Sequence, residues 1–270
     1  MNKIEHRWLE LRYFDELATR ESVIHTLHPT IKLLTTLVFI AIVASFSKYE
    51  IAGLIPMFFY PFLVIGLGNI PIGMIIKRVL LTLPFVLFIG IFNPLLDQAI
   101  LVQIGPVPIS GGIVSFVSII IRFTLSVVAA LLLIATTGID AICGALSNLG
   151  VPRVVVTQIL FVYRYLHVLI EEVMKTIRAY SLRSPQSDGV AFKAWGSLVG
   201  LLLLRAIDRA QRIYQAMLCR GFDGEVRIVR SWQLSKGDIA FLLAWLSFFI
   251  IVRSINIPEW LGTALLGGYK

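Results

Sequence analysis

The histidines are the residues of this sequence with the clearest capacity for metal chemistry, because neutral imidazole is the commonest protein metal ligand. His25 and His28 lie three residues apart, a spacing that could place two ligands on one helical face. Pro29 follows at once and no third ligand lies nearby, whereas a metal site needs a complete ligand set. We therefore expect a pair of surface histidines and no metal site in this chain.

Acid–base and nucleotide chemistry have as little support. Glu171 and Glu172 are adjacent, so on a helix they point about 100° apart and cannot work as an acid and base pair. The glycines at positions 105, 111 and 112 lack the Lys-Ser or Lys-Thr pair of a phosphate-binding loop. Cys143 and Cys219 are isolated and are expected in the cytoplasm, unpaired. The sequence indicates a chain without catalytic residues or cofactors, in which any use of ATP requires a separate ATPase.

Two arginines, Arg183 and Arg220, stand where long helices are predicted to end. Residues 182–185 read Leu-Arg-Ser-Pro and residues 219–222 read Cys-Arg-Gly-Phe, so each arginine precedes residues that stop a helix. Taken singly, each arginine is most simply a helix cap. A guanidinium at a helix end can also bind a partner's carboxylate through two parallel hydrogen bonds. Because both arginines end long polar-faced helices of an apolar chain, we predict a protein interface.

These helices are predicted over residues 154–183 and, approximately, 197–220. Each has charged residues at three- and four-residue steps on one side and aliphatic residues on the other, the pattern of an amphipathic helix. The apolar run at 198–204 is too short to cross a bilayer. The charged faces contain Arg164, His167, Glu171, Lys175 and Arg178 in the first helix, and Arg205, Asp208, Arg209 and Arg212 in the second.

The rest of the chain is apolar enough to lie in a membrane. Hydrophobic residues make up 57% of the 270 residues and charged residues only 15%, which excludes an ordinary soluble domain. Pro29 is expected to mark the start of the first span, with Lys32 at the lipid boundary, and a hairpin is predicted at 100–109. At about 20 residues per span, five spans are predicted, at 31–46, 51–68, 79–96, 113–137 and 238–257, with prolines at 56, 61, 84 and 94 kinking the second and third.

The basic residues predict the orientation of these spans. More than half of the 24 lysines and arginines lie within residues 153–236, and the loop at 97–112 has none. The first 32 residues and a predicted loop at 71–78 are also basic. All three basic regions lie on one side, and the positive-inside rule places that side in the cytoplasm. We predict a multi-pass protein of the cell membrane with a cytoplasmic amino terminus.

The predicted fold class is therefore an all-α integral membrane protein, with about five transmembrane helices and a cytoplasmic block of long amphipathic coupling helices. Residues 1–138 would contain an amino-terminal amphipathic segment and four spans, 139–236 the coupling-helix block, and 237–270 the final span and a short tail. Arg122 is the one charge deep inside a predicted span, where it costs on the order of 3 kcal/mol and should face protein or water. It could be a structural latch or line a substrate route, or it could be satisfied by carbonyls freed at Pro84 or Pro94.

Several segments of this sequence resemble the transmembrane T components of energy-coupling factor (ECF) transporters. Residues 216–224, Ala-Met-Leu-Cys-Arg-Gly-Phe-Asp-Gly, are similar to the second signature of that family, which centres on Ala-Arg-Gly. Residues 179–184, Ala-Tyr-Ser-Leu-Arg-Ser, fall where the first signature belongs. Residues 161–172 resemble the cobalt/nickel branch, the Q subunits, and residues 28–33 resemble the family's Asp-Pro-Arg-x-Lys-Leu. The resemblance covers nearly the whole chain and agrees with the predicted order of spans.

The chain also departs from these motifs. Cys219 replaces the alanine of the second signature, the first signature keeps only Arg183, and His28 and Thr30 replace the usual aspartate and arginine before the first span. Both helix-terminal arginines remain, so the prediction of an interface stands. The resemblance implies that the residues binding the ATPase partners are Ser181, Leu182, Arg183, Ser184, Cys219, Arg220 and Gly221.

The resemblance further implies a non-catalytic scaffold that joins two cytoplasmic ABC-type ATPase subunits to a membrane-embedded substrate-binding subunit. ATP and Mg would bind the ATPases, cobalt or nickel would bind the substrate-binding subunit, and the two long helices would cross in the cytoplasm. A vitamin substrate stays open, because T components look alike across the family. Two other classes remain as alternatives, namely a conventional permease and a membrane-embedded enzyme. The first needs polar residues lining its spans and the second needs clustered acids, histidines or nucleophiles, and both kinds are sparse.

Overall fold

The computed structural model describes residues 16–20, 22–96, 100–104, 107–183, 190–224 and 232–254, with the backbone alone at 95–109. The predicted amphipathic segment with Ile4, Trp8, Leu11 and Phe14 lies outside these residues. The described residues form two compact units. The membrane unit comprises Asp15–Gly138 and the chain from Trp232 onward, and the helical unit comprises Ile139–Ser231.

The membrane unit consists of helices and one small hairpin, which confirms the predicted all-α fold class. The helix α1 is a single turn and α2 is the first apolar helix. The second apolar segment begins with two 3-10 turns at Ala52–Leu54 and Pro56–Phe58, before α3. The elements are α1 Val23–Thr26, α2 Pro29–Ser45, α3 Phe59–Gly68, α4 Ile72–Gly90, α5 Phe92–Leu96, β1 Ile100–Ile104, β2 Val107–Ser110 and α6 Gly111–Thr137, with the last helix at Lys236–Ser254.

Proline and local caps fix where these helices begin and break. Pro29 occupies the first turn of α2, where its missing N–H costs nothing. The ring of His28 accepts a hydrogen bond from the backbone N–H of Thr30, over 3.2 Å. The 3-10 turn at Pro56–Phe58 confirms the predicted break in the second span. The antiparallel strands β1 and β2, with Ile104 opposite Val107, confirm the predicted hairpin.

The loop predicted at residues 71–78 is wrong, because α4 already begins at Ile72. Pro71 is its N-cap, and Lys77 and Arg78 lie within the helix. Proline favours the start of a helix as readily as a loop, so the sequence pattern placed the boundary too late. The basic character of this region is unchanged, but it is carried by the first turns of a span.

The described residues contain four helices long and apolar enough to cross a membrane. Two shorter apolar helices lie at Pro29–Ser45 and Ala52–Gly68. Five of these six correspond to the predicted spans, and the sixth, Arg153–Arg183, was predicted to lie outside the bilayer. The four long candidates are Ile72–Pro94, Gly111–Thr137, Arg153–Arg183 and Lys236–Ser254.

Aromatic residues form the core between the first, second and last apolar helices. The rings of Phe39 and Tyr60 have centroids 4.7 Å apart, and Trp245 meets Tyr60 edge-on at 4.8 Å. Phe249 packs against Phe39 at 5.4 Å, and Phe39 and Phe249 are both fully buried. Tyr60 also shares a hydrogen bond with Thr36 over 3.0 Å, so its polar end is satisfied inside the apolar core.

Several polar residues expected at a surface are buried in the membrane unit. Lys32, predicted at the lipid boundary, is 5% exposed and donates to the carbonyl of Thr136 over 2.8 Å. His25 and His28, expected as a surface pair, are also buried. Burial, helped by the nearby charge of Lys32, lowers the pKa of His25, so its ring is held neutral beside the Ser22 hydroxyl. A buried polar group needs a partner, and the partner of Lys32 is 104 positions away in the sequence.

One nitrogen of the Arg122 guanidinium is paired at the far end of α2, while its Nε is buried without a hydrogen-bond partner among the described residues. Its guanidinium donates to the carbonyl of Ser47, just beyond the end of α2. Arg253 donates to the carbonyl of Ser45 over 3.3 Å and lies 3.9 Å from the Glu50 carboxylate. Two arginines from different helices therefore hold the same turn, which is a structural role of the kind predicted for Arg122.

The described residues of the helical unit form three helices, α7 Ile139–Asn148, α8 Arg153–Arg183 and α9 Phe192–Leu218. Beyond the end of α7, Gly150 adopts a φ of +89°, which stops the helix. The second long helix begins five residues before the predicted start, because phenylalanine, tryptophan and glycine within 192–196 were not recognised as helical. It ends at Leu218, before Arg220. The last helix of the membrane unit, Lys236–Ser254, is α10.

Candidate functional site: the ends of the two long helices

The candidate site consists of the carboxyl-terminal ends of α8 and α9. At the end of α8, the Ser181 hydroxyl donates to the carbonyl of Arg178 over 2.9 Å. Leu182 is 82% exposed and Arg183, the final residue of the helix, is exposed as well. Ser184 lies outside the described residues. The end of α8 therefore presents an apolar side chain and a guanidinium to its surroundings.

The end of α9 has the geometry of a Schellman motif. The Phe222 N–H donates to the carbonyl of Met217, and the Gly221 N–H donates to the carbonyl of Leu218, both over 3.0 Å. Gly221 has a φ of +77°, which glycine adopts without strain. These bonds provide hydrogen-bond donors for carbonyls of the last helical turn that would otherwise have none within the helix.

The cap of α9 is thus made by backbone groups and by Gly221, not by the Arg220 side chain. Arg220 and Cys219 are both exposed. Among the residues that the structure describes, neither Arg183 nor Arg220 forms an ion pair with a carboxylate. The binding role of Arg220 stays a prediction.

An ion pair and an aromatic contact link α8 to α9. Glu172 receives Arg205 at 2.8 Å and Arg209 at 3.7 Å. Further towards the start of α8, the ring of Phe161 lies 6.3 Å from the ring of Phe222. Higher residue numbers on α8 meet lower ones on α9, so the two helices run antiparallel between these contacts.

This pairing separates the two arginines. Phe222 lies two residues after Arg220 and contacts Phe161, so Arg220 is near the first third of α8. Arg183 is the last residue of that helix. At 1.5 Å per residue, the helix from Phe161 to Arg183 extends about 33 Å. The two exposed guanidiniums therefore stand at two distant points of one connected helix pair.

Sequence reasoning found the helix ends but did not predict that Glu172, Phe161 and Phe222 join the two helices. Glu172 was considered as a possible catalytic acid and, with Phe161, as part of the run that resembles the cobalt/nickel branch. Arg205 and Arg209 were recognised as neighbours on one face, and two basic residues four apart do indicate an acidic partner. That partner lies on another helix, so its identity needed the three-dimensional pairing.

The two cysteines have different surroundings. Cys143 of α7 is fully buried, and its burial, together with the charge of Asp140, raises the pKa of its thiol. Cys219 is exposed beside Arg220. In the part of the chain that the structure describes, no three histidines, cysteines or acids lie close enough to hold a metal ion.

Replacing Gly221 should disturb the end of α9. A valine at φ +77° is strained, because a left-handed conformation costs about 1–2 kcal/mol for a residue with a Cβ. Gly221→Val is expected to open the bond from the Phe222 N–H to Met217, which hydrogen exchange at Phe222 would report as lost protection. Gly221→Asn is the matched control, since asparagine tolerates this conformation. Equal protection in both variants would contradict the assigned cap.

Comparison with known proteins gives the relationships of the chain. Residues 20–230 match the model of a family described as CbiQ, cobalt transport protein. An energy-coupling factor transporter transmembrane protein EcfT of Leuconostoc gelidum subsp. gasicomitatum is 26% identical over 260 residues, covering 86% of this chain and 94% of the relative. The EcfT of Bacillus subtilis is 27% identical over 75% of this chain and 82% of its own length. An uncharacterised protein of Methanocaldococcus jannaschii is 28% identical over 94% of this chain and 89% of its own.

Proposed function

Because the chain belongs to the CbiQ cobalt transport protein family, we propose that it is the transmembrane T component of an ATP-driven ECF importer for cobalt or nickel. In this role it is a non-catalytic scaffold. It joins two cytoplasmic ABC-type ATPase subunits to a membrane-embedded substrate-binding subunit. Relatives named as ECF transporter transmembrane proteins support the assignment as an ECF transporter component, without its substrate.

The observation that carries the proposal is the separation of Arg183 and Arg220 on one connected helix pair. Two exposed guanidiniums, placed near points of α8 that lie about 33 Å apart along the helix, offer two attachment points that one small partner would not need. Each could enter an acidic groove and bind a carboxylate through two hydrogen bonds. Two ATPase subunits, one at each helix end, fit this arrangement.

The links between α8 and α9 would let the pair transmit a movement. When ATP draws the two ATPases together, the points that hold Arg183 and Arg220 must shift. Glu172 and the contact between Phe161 and Phe222 connect both ends. A stiff element with two arrangements is what coupling between distant sites requires. The substrate-binding subunit would change its orientation in response.

A cytoplasmic position of α8 agrees with its charges, although the helix is long enough to span a bilayer. It carries charged side chains along its length, among them Arg164, Glu172 and Lys175. In contrast, α6 carries Arg122 alone. Ionisable residues are expensive inside lipid, and the basic residues of α8 and α9 favour the cytoplasmic side.

The substrate proposal rests on the family and on residues 161–172, which resemble the cobalt/nickel branch. The described residues offer no ligand set for such an ion, so the metal would bind in the separate membrane subunit. A vitamin-type substrate is the second candidate, because T components look alike across the family and the EcfT relatives are not named for a metal.

Reconstitution tests the proposed function. Proteoliposomes containing this chain, its two ATPase subunits and the substrate-binding subunit should accumulate radiolabelled cobalt when ATP is supplied. Omitting this chain should abolish uptake, because the ATPases would then have no connection to the membrane subunit. Uptake of a vitamin without cobalt would correct the substrate. Uptake by this chain without any ATPase would overturn the assignment as a scaffold.

Thiol labelling should reveal the orientation without engineered cysteines. Cys219 is exposed while Cys143 is buried and its raised pKa leaves little thiolate, so a membrane-impermeant maleimide should react with Cys219 alone. We expect labelling in inverted membrane vesicles and none in intact cells. Cys219→Ser is the control that should remove the signal. Labelling from the outside of intact cells would place α9 on the opposite side.

A further inference from the structure

The chain enters and leaves the helical unit through residues that belong to the membrane unit. Gly138 is the last residue before the helical unit, and Trp232 is the first residue after it. These two covalent connections can carry a movement of the helical unit to the spans. What holds the connections therefore matters for coupling.

The first connection is held by Lys32. Its ammonium donates to the carbonyl of Thr136 over 2.8 Å, two residues before Gly138. Thr136 is 3% exposed, and its hydroxyl donates to the carbonyl of Leu132 over 2.8 Å. The final turn of α6 is thus fixed to the start of α2 by a buried charge-assisted hydrogen bond.

The second connection is held by Asp238, in the first turn of α10. One carboxylate oxygen accepts from the backbone N–H of Ser235 over 2.8 Å. The other accepts from the backbone N–H of His28 over 2.9 Å. Asp238 is 4% exposed, so both bonds lie inside the protein. The segment that leads out of the helical unit is tied to the residue just before α2.

Both connections therefore meet on one short segment, residues 28–32. Lys32 and Asp238 carry opposite charges, both are buried, and they attract each other. Removing one leaves the other buried without a compensating charge, which is strongly destabilising. An apolar pair of similar volume would often stabilise a fold as well or better. The charges are therefore better explained by the fixed position they give the two connections.

We propose that Lys32 and Asp238, with the backbone of His28, form the joint through which movement of the helical unit reaches the transmembrane helices. This inference rests on the proposed function. Lys32 and Asp238 act as positioning residues: they touch neither ATP nor cargo, and they keep the last turn of α6 and the first turn of α10 moving together with α2. If these contacts are lost, the ATPases still hydrolyse ATP, but the transmembrane helices no longer move with the helical unit.

The first test uses Lys32→Met and Asp238→Asn in the complete reconstituted complex. Both variants should keep ATPase association and should keep ATP hydrolysis within about twofold of wild type, because the ends of α8 and α9 are unchanged. Cobalt transported per ATP hydrolysed should fall at least about tenfold. Tyr60→Phe is the matched control. It removes a buried hydrogen bond to Thr36 on the same helix α2, but that bond holds neither connection.

A pair of variants at His28 separates the joint from general destabilisation. His28 has a φ of −58° and a ψ of 126°, which proline can adopt. His28→Pro removes the N–H that Asp238 accepts, whereas His28→Ala keeps that N–H, and both lose the ring. Only His28→Pro should lower the amount of cobalt transported per ATP hydrolysed. Equal ratios in the two variants would contradict the role given to this bond.

A cargo-independent measurement completes the test. In the wild-type complex, ATP binding should change amide hydrogen exchange at the first turns of α2 and α10, and Lys32→Met should abolish that change. If uptake and hydrolysis fall in the same proportion, or if neither changes, the joint is refuted while the scaffold remains. If wild type shows no ATP-dependent uptake of any cargo, the proposed function fails, and the exchange experiment still decides whether ATP reaches the spans through Lys32.

Discussion

Reversing the charge of Arg183 or Arg220 is expected to release an ATPase subunit from the complex. A glutamate would face the carboxylate that the arginine binds, and disrupting a buried charge pair typically costs 2–5 kcal/mol. At 1.4 kcal/mol per tenfold, association should weaken by at least about 30-fold. Copurification of the ATPases with Arg183→Glu, with Arg220→Glu and with the double variant would measure the loss.

Matched variants separate an interface from general charge effects. Arg212 is an exposed arginine on α9 away from the helix end, so Arg212→Glu should leave ATPase association unchanged. Arg220→Lys keeps the charge but loses the planar pair of donors and should weaken association to an intermediate extent. Unchanged association and uptake in both terminal reversals would rule out an interface at these two arginines.

Phe249→Ala is expected to destabilise the membrane unit more than any surface change. Phe249 is fully buried and its ring packs against Phe39, Tyr60 and Trp245. Deleting a buried phenylalanine side chain removes its contacts and leaves a cavity, which together cost about 3–5 kcal/mol. Thermal unfolding of the purified protein in detergent should show a clear fall in melting temperature.

The neighbouring residue provides the control for this core prediction. Ile250 lies on the same helix but is 58% exposed, so Ile250→Ala removes few protein contacts and should change the melting temperature little. A similar fall for both variants would mean that the helix as a whole, and not the aromatic core, determines stability.

Much of the fold could be predicted from local patterns. Long apolar stretches identified the spans, Pro29 marked the start of the first span, and the hairpin was predicted at 100–109. Each of these signals depends only on residues that are neighbours in the sequence and on the backbone conformations that those residue types prefer. The start of α4 was misplaced because Pro71 is compatible with both a loop and a helix N-terminus.

The buried polar cluster could not be predicted in the same way. Lys32, His28 and Asp238 each look like surface residues in their own segments. The bond between the His28 N–H and Asp238 joins residues 210 positions apart, and no local periodicity reports such a pairing. The cost of burying a lysine also argues for the surface until its partners are known.

The candidate site was predicted in part. The helix-terminal arginines were identified from their sequence. The predicted partner-binding residues with a described side chain are exposed, namely Ser181, Leu182, Arg183, Cys219, Arg220 and Gly221. Their separation along α8 could not be predicted, because it depends on the meeting of Phe161 with Phe222. The binding role of these residues stays a prediction, which the charge reversals above address.

The unlike ends of α8 and α9 bear on the symmetry of the assembly. Arg220 precedes a glycine-capped turn, whereas Arg183 is the last residue of a helix whose next six positions include a proline. One chain that meets two ATPases in this way cannot present the same surface twice, and twofold symmetry would require that it did. Even two identical ATPases would therefore occupy inequivalent positions, so each could differ from the other in affinity and in its order of nucleotide turnover.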